Sequence, residues 1–235
     1  MTVHPKQAAA EYAAGLVEDG MIVGLGTGST AAYAIRRIGE RVREGLRLHA
    51  VASSGRSERL ARQLGIPIVP FSAIGGIDLT IDGADEIDPA HDLIKGGGGA
   101  LLREKILAAS SKRFVVVADD SKLVGTLGAF PLPVEIVPFA ENLTLALLEE
   151  LGCTPELRRG NGQGGRFVTD NGNLIADCRF GRIPDPAALG ARINAIPGVA
   201  EHGLFVGMAD LVVAAGTDGV RLLHKSAEDK TGGAT

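Results

Sequence analysis

Short apolar runs alternate with helical patterns along the first half of the chain. Residues 114–118 (FVVVA) are continuously apolar, which is typical of a strand buried on both faces of a sheet. Residues 5–18 instead repeat apolar positions every three to four residues, which predicts a helix. The same patterns predict further strands at residues 21–24, 48–52, 66–69 and 77–81, and further helices at 30–43, 57–64 and 101–109. Strands that alternate with helices form right-handed β-α-β units, so we expect an α/β fold with a mainly parallel sheet.

The pattern changes after a segment marked by Pro131, Pro133 and Pro138. Four strands are predicted at residues 132–137, 156–159, 174–180 and 199–204, and two helices at 141–151 and 186–195. Their order, β-α-β-β-α-β, is the ferredoxin-like arrangement. We therefore expect a small α+β domain at residues 131–206, inserted into a catalytic domain made of residues 1–130 and 207–235.

The main domain is expected to resume after this insertion. Strands are predicted at residues 209–215 and 220–223. Residues 160–165 (GNGQGG) predict a flexible hairpin loop in the small domain, and the tail from Ser226 is expected to be disordered.

Composition favours a small-molecule partner over a macromolecular one. The formal net charge is −4, aromatic residues make up 4% of the chain, and Trp is absent. A nucleic-acid partner is not expected, because no basic patch and few stacking side chains are available. No apolar run reaches membrane-spanning length, and the N-terminus lacks the apolar segment of a secretory signal. Cys153 and Cys178 form no CxxC pair, so neither a disulfide nor a zinc site is predicted, and a reducing cytoplasm is the expected location.

A glycine-rich segment at residues 24–30 (GLGTGST) follows a predicted strand and opens a predicted helix. Glycines let backbone N–H groups approach an anion, and the positive end of a helix dipole favours negative charge. Thr27, Ser29 and Thr30 add hydroxyl donors, so the segment predicts a ligand that carries phosphate. The structural alternative is a plain strand-to-helix turn with Thr30 as the N-cap.

The same segment also fits a dinucleotide-binding pattern. Gly26, Gly28 and Ala31 match G-x-G-x-x-A, but the acidic residue expected about 20 positions later is absent. Arg56 could instead meet the 2′-phosphate of NADP. An NADP-dependent oxidoreductase is therefore one alternative, although it leaves the next two segments unexplained.

An acidic segment, residues 78–88 (DLTIDGADEID), ends a predicted parallel strand. Asp82 and Asp85 lie just beyond its carboxyl end, where open α/β sheets place their ligand sites. A turn at Gly83 would aim both carboxylates into one cleft, where they can bind sugar hydroxyls and move protons. They could also hold Mg²⁺, but no fixed ligand spacing is met, so no metal is predicted. The structural alternative is a solvated acidic turn.

A run of four glycines follows Lys95 in the segment LIKGGGGALLREKI. The chain has seven lysines against seventeen arginines, so a compact cation at this point is notable. Glu104 lies in the predicted helix that follows, and its neighbours three and four positions away are Leu101, Leu107, Ala100 and Ala108. A carboxylate on such an apolar face is costly unless it lines a cleft or has a cationic partner. Partial burial would raise its pKa into the range of a general base; the structural alternative is a buried Glu neutralised by a partner such as Lys95.

One more lysine lies at the carboxyl end of a predicted strand. Lys122 follows the FVVVA strand in the segment ADDSKL, from which it could reach an anionic group of a substrate. On this segment alone, a surface lysine in a polar turn is the better interpretation.

Together these segments make the chain similar to the type A ribose-5-phosphate isomerase family. The matching stretches run in order from about residue 6 to residue 224; they are VGLGTGSTA, SSxxS, LGIP, DLTIDGADEID, LIKGGGGALLREKI, VVVADDSKLV, PLPVEIVPFA, TDNGN, INAIPGV, GLF and GTDGV. The resemblance implies a Rossmann-like main domain, an inserted ferredoxin-like domain, a homodimer or tetramer, and no cofactor. It implies a cytoplasmic enzyme that interconverts ribose 5-phosphate and ribulose 5-phosphate.

The resemblance also implies a role for each segment. Glu104 resembles the general base, Asp82 and Asp85 the ring-opening and hydroxyl-binding carboxylates, and Lys95 with the glycine amides the oxyanion stabiliser. Lys6 aligns weakly with a phosphate contact. The residues expected to bind substrate are Thr27, Gly28, Ser29, Thr30, Asp82, Gly83, Ala84, Asp85, Lys95, Gly96, Gly97, Gly98 and Lys122. A non-catalytic sugar-phosphate sensor is the second alternative, but the chain has no segment left over for a helix-turn-helix.

Overall fold

The computed structural model describes residues 4–160 and 165–224. The helices of this part are α1 (Pro5–Gly15), α2 (Ser29–Arg43), α3 (Gly55–Gln63), α4 (Leu101–Ala109), α5 (Glu141–Glu149) and α6 (Pro186–Asn194). The strands are β1 (Ile22–Leu25), β2 (His49–Ala52), β3 (Leu79–Gly83), β4 (Glu86–Ile87), β5 (Leu93–Ile94), β6 (Phe114–Asp119), β7 (Leu132–Ile136), β8 (Thr154–Leu157), β9 (Leu174–Arg179), β10 (Val199–His202), β11 (Leu204–Phe205), β12 (Leu211–Gly216) and β13 (Gly219–His224).

A six-stranded sheet forms the larger part of the fold. Its order is β13-β12-β6-β3-β1-β2, in which every pair is parallel except the antiparallel edge pair β12–β13. The predicted mainly parallel α/β sheet is therefore confirmed. The switch in strand order beside β1 leaves the carboxyl ends of β1, β3 and β6 next to one another, and open α/β sheets place ligand sites at such a point.

The central strand β6 explains why this sheet forms. Val115 and Val117 pack on one face with residues of α1 and α2, whereas Phe114 and Val116 pack on the other face with Phe205. Since side chains alternate between the faces of a strand, the continuous FVVVA run supplies both apolar layers.

The second half contains a separate four-stranded antiparallel sheet with the order β10-β7-β9-β8. Its chain order with α5 and α6 is β-α-β-β-α-β, so the ferredoxin-like arrangement is confirmed. Leu148 of α5 and Ile193 of α6 are fully buried in one core with residues of β7 and β9. The boundaries drawn at residues 131 and 206 stay a prediction.

A small three-stranded sheet, with the order β11-β5-β4, has no counterpart in the sequence prediction. Each of its strands has two residues, too few to show an alternating pattern. β5 ends just before Lys95. It pairs with β11, which follows the last strand of the ferredoxin-like part in the chain. This pairing fixes the start of the glycine run.

One predicted strand is wrong and another ends earlier than predicted. Residues 66–69 form no strand, because only Ile68 makes an isolated bridge, to Ala50. Residues 199–204 divide into β10 and β11, which belong to different sheets; a side chain at Gly203, between them, would overlap the Lys95 carbonyl oxygen. Most of the GNGQGG loop and the tail from residue 225 lie outside the described residues. Of the described helices, none is long and apolar enough to cross a membrane.

Candidate active site

A cleft opens at the carboxyl ends of β1, β3 and β6. Its walls come from the segments that follow these strands, from the glycine run and from α1 and α4. Every residue expected from the sequence to act on substrate lines it except Asp82, and Lys6 joins them: the lining is Lys6, Thr27, Gly28, Ser29, Thr30, Gly83, Ala84, Asp85, Lys95, Gly96, Gly97, Gly98, Glu104 and Lys122.

The glycine-rich segment 24–30 forms the turn from β1 into α2. Gly28, with φ +119°, is the N-cap and Ser29 already begins the helix, so Thr30 is not the N-cap that the structural alternative for this segment required. No side chain caps this end of α2. Its first backbone N–H groups are therefore available to an anion in the cleft, where the helix dipole favours negative charge.

Thr27 faces a cluster of serine hydroxyls that the sequence analysis gave no role. Its Oγ1 lies 2.8 Å from Ser53 Oγ and 2.8 Å from Ser54 Oγ. Ser57 Oγ in turn donates to the Gly26 carbonyl oxygen at 2.7 Å. The signal was present as three serines around the start of a helix, and these serines hold the glycine-rich turn in place.

Asp82 lies behind the cleft wall rather than on it. Its side chain is buried, and Oδ1 accepts hydrogen bonds from the backbone N–H of Thr27 and of Gly83, at 3.0 and 2.7 Å. A side chain at Gly26 would overlap this carboxylate, so glycine is required there. The sequence expectation that Asp82 contacts substrate directly does not match this position; Asp82 meets the cleft through Lys95.

Lys95 and Glu104 form a buried ion pair on the cleft wall. The Lys95 Nζ lies 3.0 Å from Asp82 Oδ2 and 3.2 Å from Glu104 Oε2, and it also donates to the Gly83 carbonyl oxygen. Both side chains are at most 3% exposed. An ion pair alone is compatible with the structural alternative for Glu104, but a purely structural pair has no need to border a cleft lined by open backbone amides.

Two carboxylates share one ammonium group here, and the pKa values reflect this. Burial raises the pKa of Glu104 from 4.5 to about 8, against the opposing effect of Lys95. Burial also raises the pKa of Asp82. Burial alone would lower the pKa of Lys95, but the adjacent Asp82 and Glu104 carboxylates outweigh it and raise the pKa. Lys95 thus stays charged, and Glu104 is poised to exchange a proton near neutral pH.

Asp85 and the glycine run also line the cleft that the Lys95–Glu104 ion pair borders. The Gly97 N–H donates to Asp85 Oδ2 at 2.7 Å, and a side chain at Gly97 would come within 2.6 Å of Asp85 Oδ1. The neighbouring Gly98 N–H has no acceptor among residues 4–160 and 165–224. A free backbone donor beside a buried cation is an arrangement that stabilises a developing oxyanion.

Two further lysines bring positive charge to the cleft. Lys122 reaches it from the turn after β6, and Lys6 reaches it from the first turn of α1. Lys6 also lies 3.7 Å from Asp119 Oδ2. Together with the open end of α2, these cations suit a phosphate group.

No group of three or more His, Cys, Asp and Glu residues that could hold a metal ion occurs in the part of the chain that the structure describes. Arg56, considered for an NADP phosphate, is exposed and lines a neighbouring groove with Arg36 and Arg59.

A buried carboxylate that exchanges protons near neutral pH, next to cations and open amides at the edge of a parallel sheet, defines an α/β enzyme that moves protons on a small anionic substrate. The sequence pattern of the family described as Ribose 5-phosphate isomerase A (phosphoriboisomerase A) matches residues 49–219. The chain belongs to this family.

Proteins with similar sequences match this chain over nearly its whole length. A Sphingopyxis alaskensis protein named ribose-5-phosphate isomerase A is 51% identical over 223 residues, which cover 95% of this chain and 97% of the relative. A Thermomicrobium roseum protein of the same name is 53% identical over 228 residues, 96% of this chain and 95% of the relative.

Solved structures also superpose on this chain over nearly its whole length. Ribose 5-phosphate isomerase A from Methanocaldococcus jannaschii superposes with a TM-score of 0.90 at 43% identity, over 94% of this chain and 98% of that one. A D-ribose-5-phosphate isomerase in complex with phospho-erythronic acid gives a TM-score of 0.91 at 39% identity, over 94% of this chain and all of that one.

Proposed function

We propose that the cleft interconverts D-ribose 5-phosphate and D-ribulose 5-phosphate, as an aldose–ketose isomerase of the non-oxidative pentose phosphate pathway, with Glu104 as the base. The observation that carries this assignment is the Glu104–Lys95–Asp82 cluster on the wall of a phosphate-suited cleft. The family relationship and the ligand-bound relative support the substrate class.

The proton transfer takes place on the open-chain sugar. The Glu104 carboxylate removes the proton from C2, and the electron pair of the C2–H bond forms the C1=C2 double bond of an enediolate while the C1 carbonyl oxygen becomes negative. The O2 proton then passes to O1, which moves the negative charge to O2. As the O2 electron pair forms the C2 carbonyl, the C1=C2 electron pair takes the proton back from Glu104 at C1 and completes ribulose 5-phosphate. A positioned base of this kind typically contributes on the order of 10²–10⁴-fold in rate.

The negative charge on the enediolate oxygen needs nearby positive charge. Lys95 donates a hydrogen bond to the Gly83 carbonyl and is ion-paired with both Asp82 and Glu104, so it acts mainly through its charge. The free Gly98 N–H supplies the direct hydrogen bond. Asp82 keeps Lys95 in place and charged.

Ring opening is assigned to Asp85. Its carboxylate lines the cleft, whereas Asp82 is buried behind Lys95. Asp85 takes the proton of the anomeric hydroxyl as the bond from C1 to the ring oxygen breaks, and it passes this proton to the ring oxygen. The phosphate is bound by Ser29, Thr30, the amides at the start of α2, Lys122 and Lys6.

The proposal includes assembly and location. We place the enzyme in the cytoplasm, because Cys153 and Cys178 are both free, as expected in a reducing compartment. We propose a homodimer, with a tetramer as the alternative. An exposed apolar patch supports assembly: it consists of Val137, Phe139, Leu143 and Leu147, defined here as the α5 patch.

The deciding experiment measures conversion of ribose 5-phosphate to ribulose 5-phosphate by the purified protein in the presence of EDTA. We expect turnover by the wild type and a loss of at least about a hundredfold in Glu104→Gln, which keeps the size of the side chain but cannot take a proton. Circular dichroism checks that the variant is folded. A wild type that binds the sugar phosphate without converting it would overturn the isomerase proposal in favour of the sensor.

An NADP-dependent oxidoreductase is tested in the same preparation. Since the proposal requires no nicotinamide, NADPH fluorescence should not change on addition of the protein. Saturable binding of NADPH would support the oxidoreductase instead.

A further inference from the structure

The helix that carries Glu104 begins without a side-chain cap. Glu104 is the fourth residue of α4, the N-cap Ala100 provides no side-chain hydrogen bond, and four glycines precede it. Glycines allow more backbone conformations than any other residue. A proton-transferring carboxylate must nevertheless be held within a fraction of an ångström of its target. Burial of Leu101 and the ion pair with Lys95 hold this turn from the cleft side, and contacts on its outer side set its direction.

Arg103, the residue before Glu104, makes that connection. Its guanidinium donates from Nε to Asn171 Oδ1 at 2.7 Å and from Nη2 to the Asp170 carbonyl oxygen at 2.7 Å. Its Nη1 lies 3.4 Å from Asp170 Oδ2. Three contacts from one planar group determine direction as well as distance.

The acceptors belong to a turn of the ferredoxin-like part, residues 169–173, which is itself rigidly held. Glu135 of β7 is fully buried, and its Oε1 accepts hydrogen bonds from the side chains of Thr169, Asn171 and Asn173 at 2.9, 3.0 and 2.9 Å. A buried carboxylate is expensive unless it is hydrogen-bonded in this way. The Glu135 carboxylate thus shapes the 169–173 turn from inside.

The same turn also reaches the phosphate side of the cleft. Asp170 Oδ2 accepts the Gly55 N–H, the first of α3, at 2.8 Å. The residue before Gly55 is Ser54, whose hydroxyl lies 2.8 Å from Thr27 Oγ1. The 169–173 turn of the ferredoxin-like part therefore connects both walls of the cleft.

On the basis of the proposed function, we propose that Arg103 is a positioning residue, which fixes the Glu104 carboxylate through its contacts with the 169–173 turn. Arg103 touches neither substrate nor reacting atoms in this scheme. Its loss changes where the base stands, not whether the base is present.

The test replaces Arg103 by Met, which keeps the aliphatic length and removes the fork. We expect kcat to fall by about tenfold or more with KM changed less than about twofold, because a 1 Å misplacement of a reacting group costs up to about 10²-fold. Arg103→Lys should not restore kcat, since a point charge cannot make the three contacts. Arg62→Met is the matched control: Arg62 is also a helical arginine in an ion pair, with Glu58, but does not line the cleft.

A second comparison separates positioning from general stability. In a Glu104→Gln background the base is already absent, so Arg103→Met should cause little further loss of the residual activity. Asn171→Ala removes the acceptor of the Arg103 Nε donor, should cause a selective loss of kcat in the same direction, and should not add to the loss of Arg103→Met in the double variant. It also serves if Arg103→Met does not fold.

An unchanged kcat in either single variant, or an equal loss with and without Glu104, would overturn the positioning role. These results differ from failure of the proposed function, in which the wild type itself shows no turnover.

Discussion

At the residue scale, the chemistry depends on the buried cluster of Asp82, Lys95 and Glu104, in which the three groups cannot all be charged at low cost. Asp82 and Glu104 face one ammonium group, so full ionisation would leave one negative charge without a partner. The cluster relieves this by raising the pKa of Glu104 to about 8, while Lys95 remains a cation. The same burial that is costly for folding therefore prepares a base that works near neutral pH.

The activity should follow the titration of Glu104. Only the ionised carboxylate can take the C2 proton, so kcat/KM is expected to rise about tenfold per pH unit below the pKa of about 8 and to level off above it. Initial rates at constant ionic strength between pH 5 and 9.5 measure this. A plateau that already begins near the ordinary glutamate pKa of 4.5 would contradict the assignment.

Stability should respond to the same proton with the opposite sign. Glu104 in the unfolded chain loses its proton near 4.5, whereas the folded protein keeps it up to about pH 8. Between these values the folded state binds more protons, so rising pH lowers the free energy of unfolding. Glu104→Gln removes this titration and should raise the Tm above that of the wild type at pH 8, by at least about 2 °C, with little difference at pH 4. Calorimetric scans at both pH values check it; an equal difference at both would refute the raised pKa.

At the scale of elements, local pattern and long-range pairing divide what could be predicted. β6 and α4 were predicted because a continuous apolar run and a three-to-four-residue repeat are visible in the sequence itself. The two-residue strands β4, β5 and β11 were not, because they exist only through pairing with distant residues. The strand predicted at residues 66–69 failed for the converse reason: an apolar run is not a strand without a partner along its length.

The candidate site divides in the same way. The apolar neighbours of Glu104 indicated a buried carboxylate, and its burial at 3% exposure agrees. Asp82 could not be separated from Asp85 by sequence, because only the fold puts one behind Lys95 and the other on the cleft. The partners of Arg103 lie more than sixty residues away, and no local pattern connects them.

Another acidic residue of the same segment, Glu86, has a structural role at this scale. It is buried in β4, and its carboxylate accepts the backbone N–H groups of Gly128 and Phe130 at 2.7 and 2.6 Å. Glu86→Ala leaves both donors unpaired and should lower the free energy of unfolding by about 2–5 kcal/mol, whereas kcat per folded molecule stays within about threefold. Urea denaturation measures the loss, with the exposed Glu44→Ala as control. A variant as stable as the wild type would show that these bonds contribute nothing net.

At the scale of the whole molecule, the α5 patch is the most prominent apolar surface in the described part of the chain. Phe139 is 87% exposed and Leu143 62% exposed, and together with Leu147 they are spaced four residues apart along and just before α5. A second copy of the chain would remove this surface from water. The patch lies on and just before α5 of the ferredoxin-like part, and none of its residues lines the cleft.

Substitution of this patch should separate assembly from folding. Phe139→Ser combined with Leu143→Ser is expected to convert the proposed dimer to a monomer, because the two most exposed apolar side chains of the patch are lost and neither belongs to the monomer core. Multi-angle light scattering measures the mass, and circular dichroism verifies the fold. A double variant that remains a dimer would place the interface elsewhere.

The position of β12 in the chain also affects how the protein folds during its synthesis. β6 is flanked in the sheet by β3 and β12, yet residues 120–210, with the whole ferredoxin-like part, are made between β6 and β12. On the ribosome, the emerging FVVVA segment must therefore wait with one edge open and both faces apolar. A nascent chain paused in this interval is the species most exposed to aggregation, and the interval ends only when residues 211–216 have been synthesised and can pair with β6.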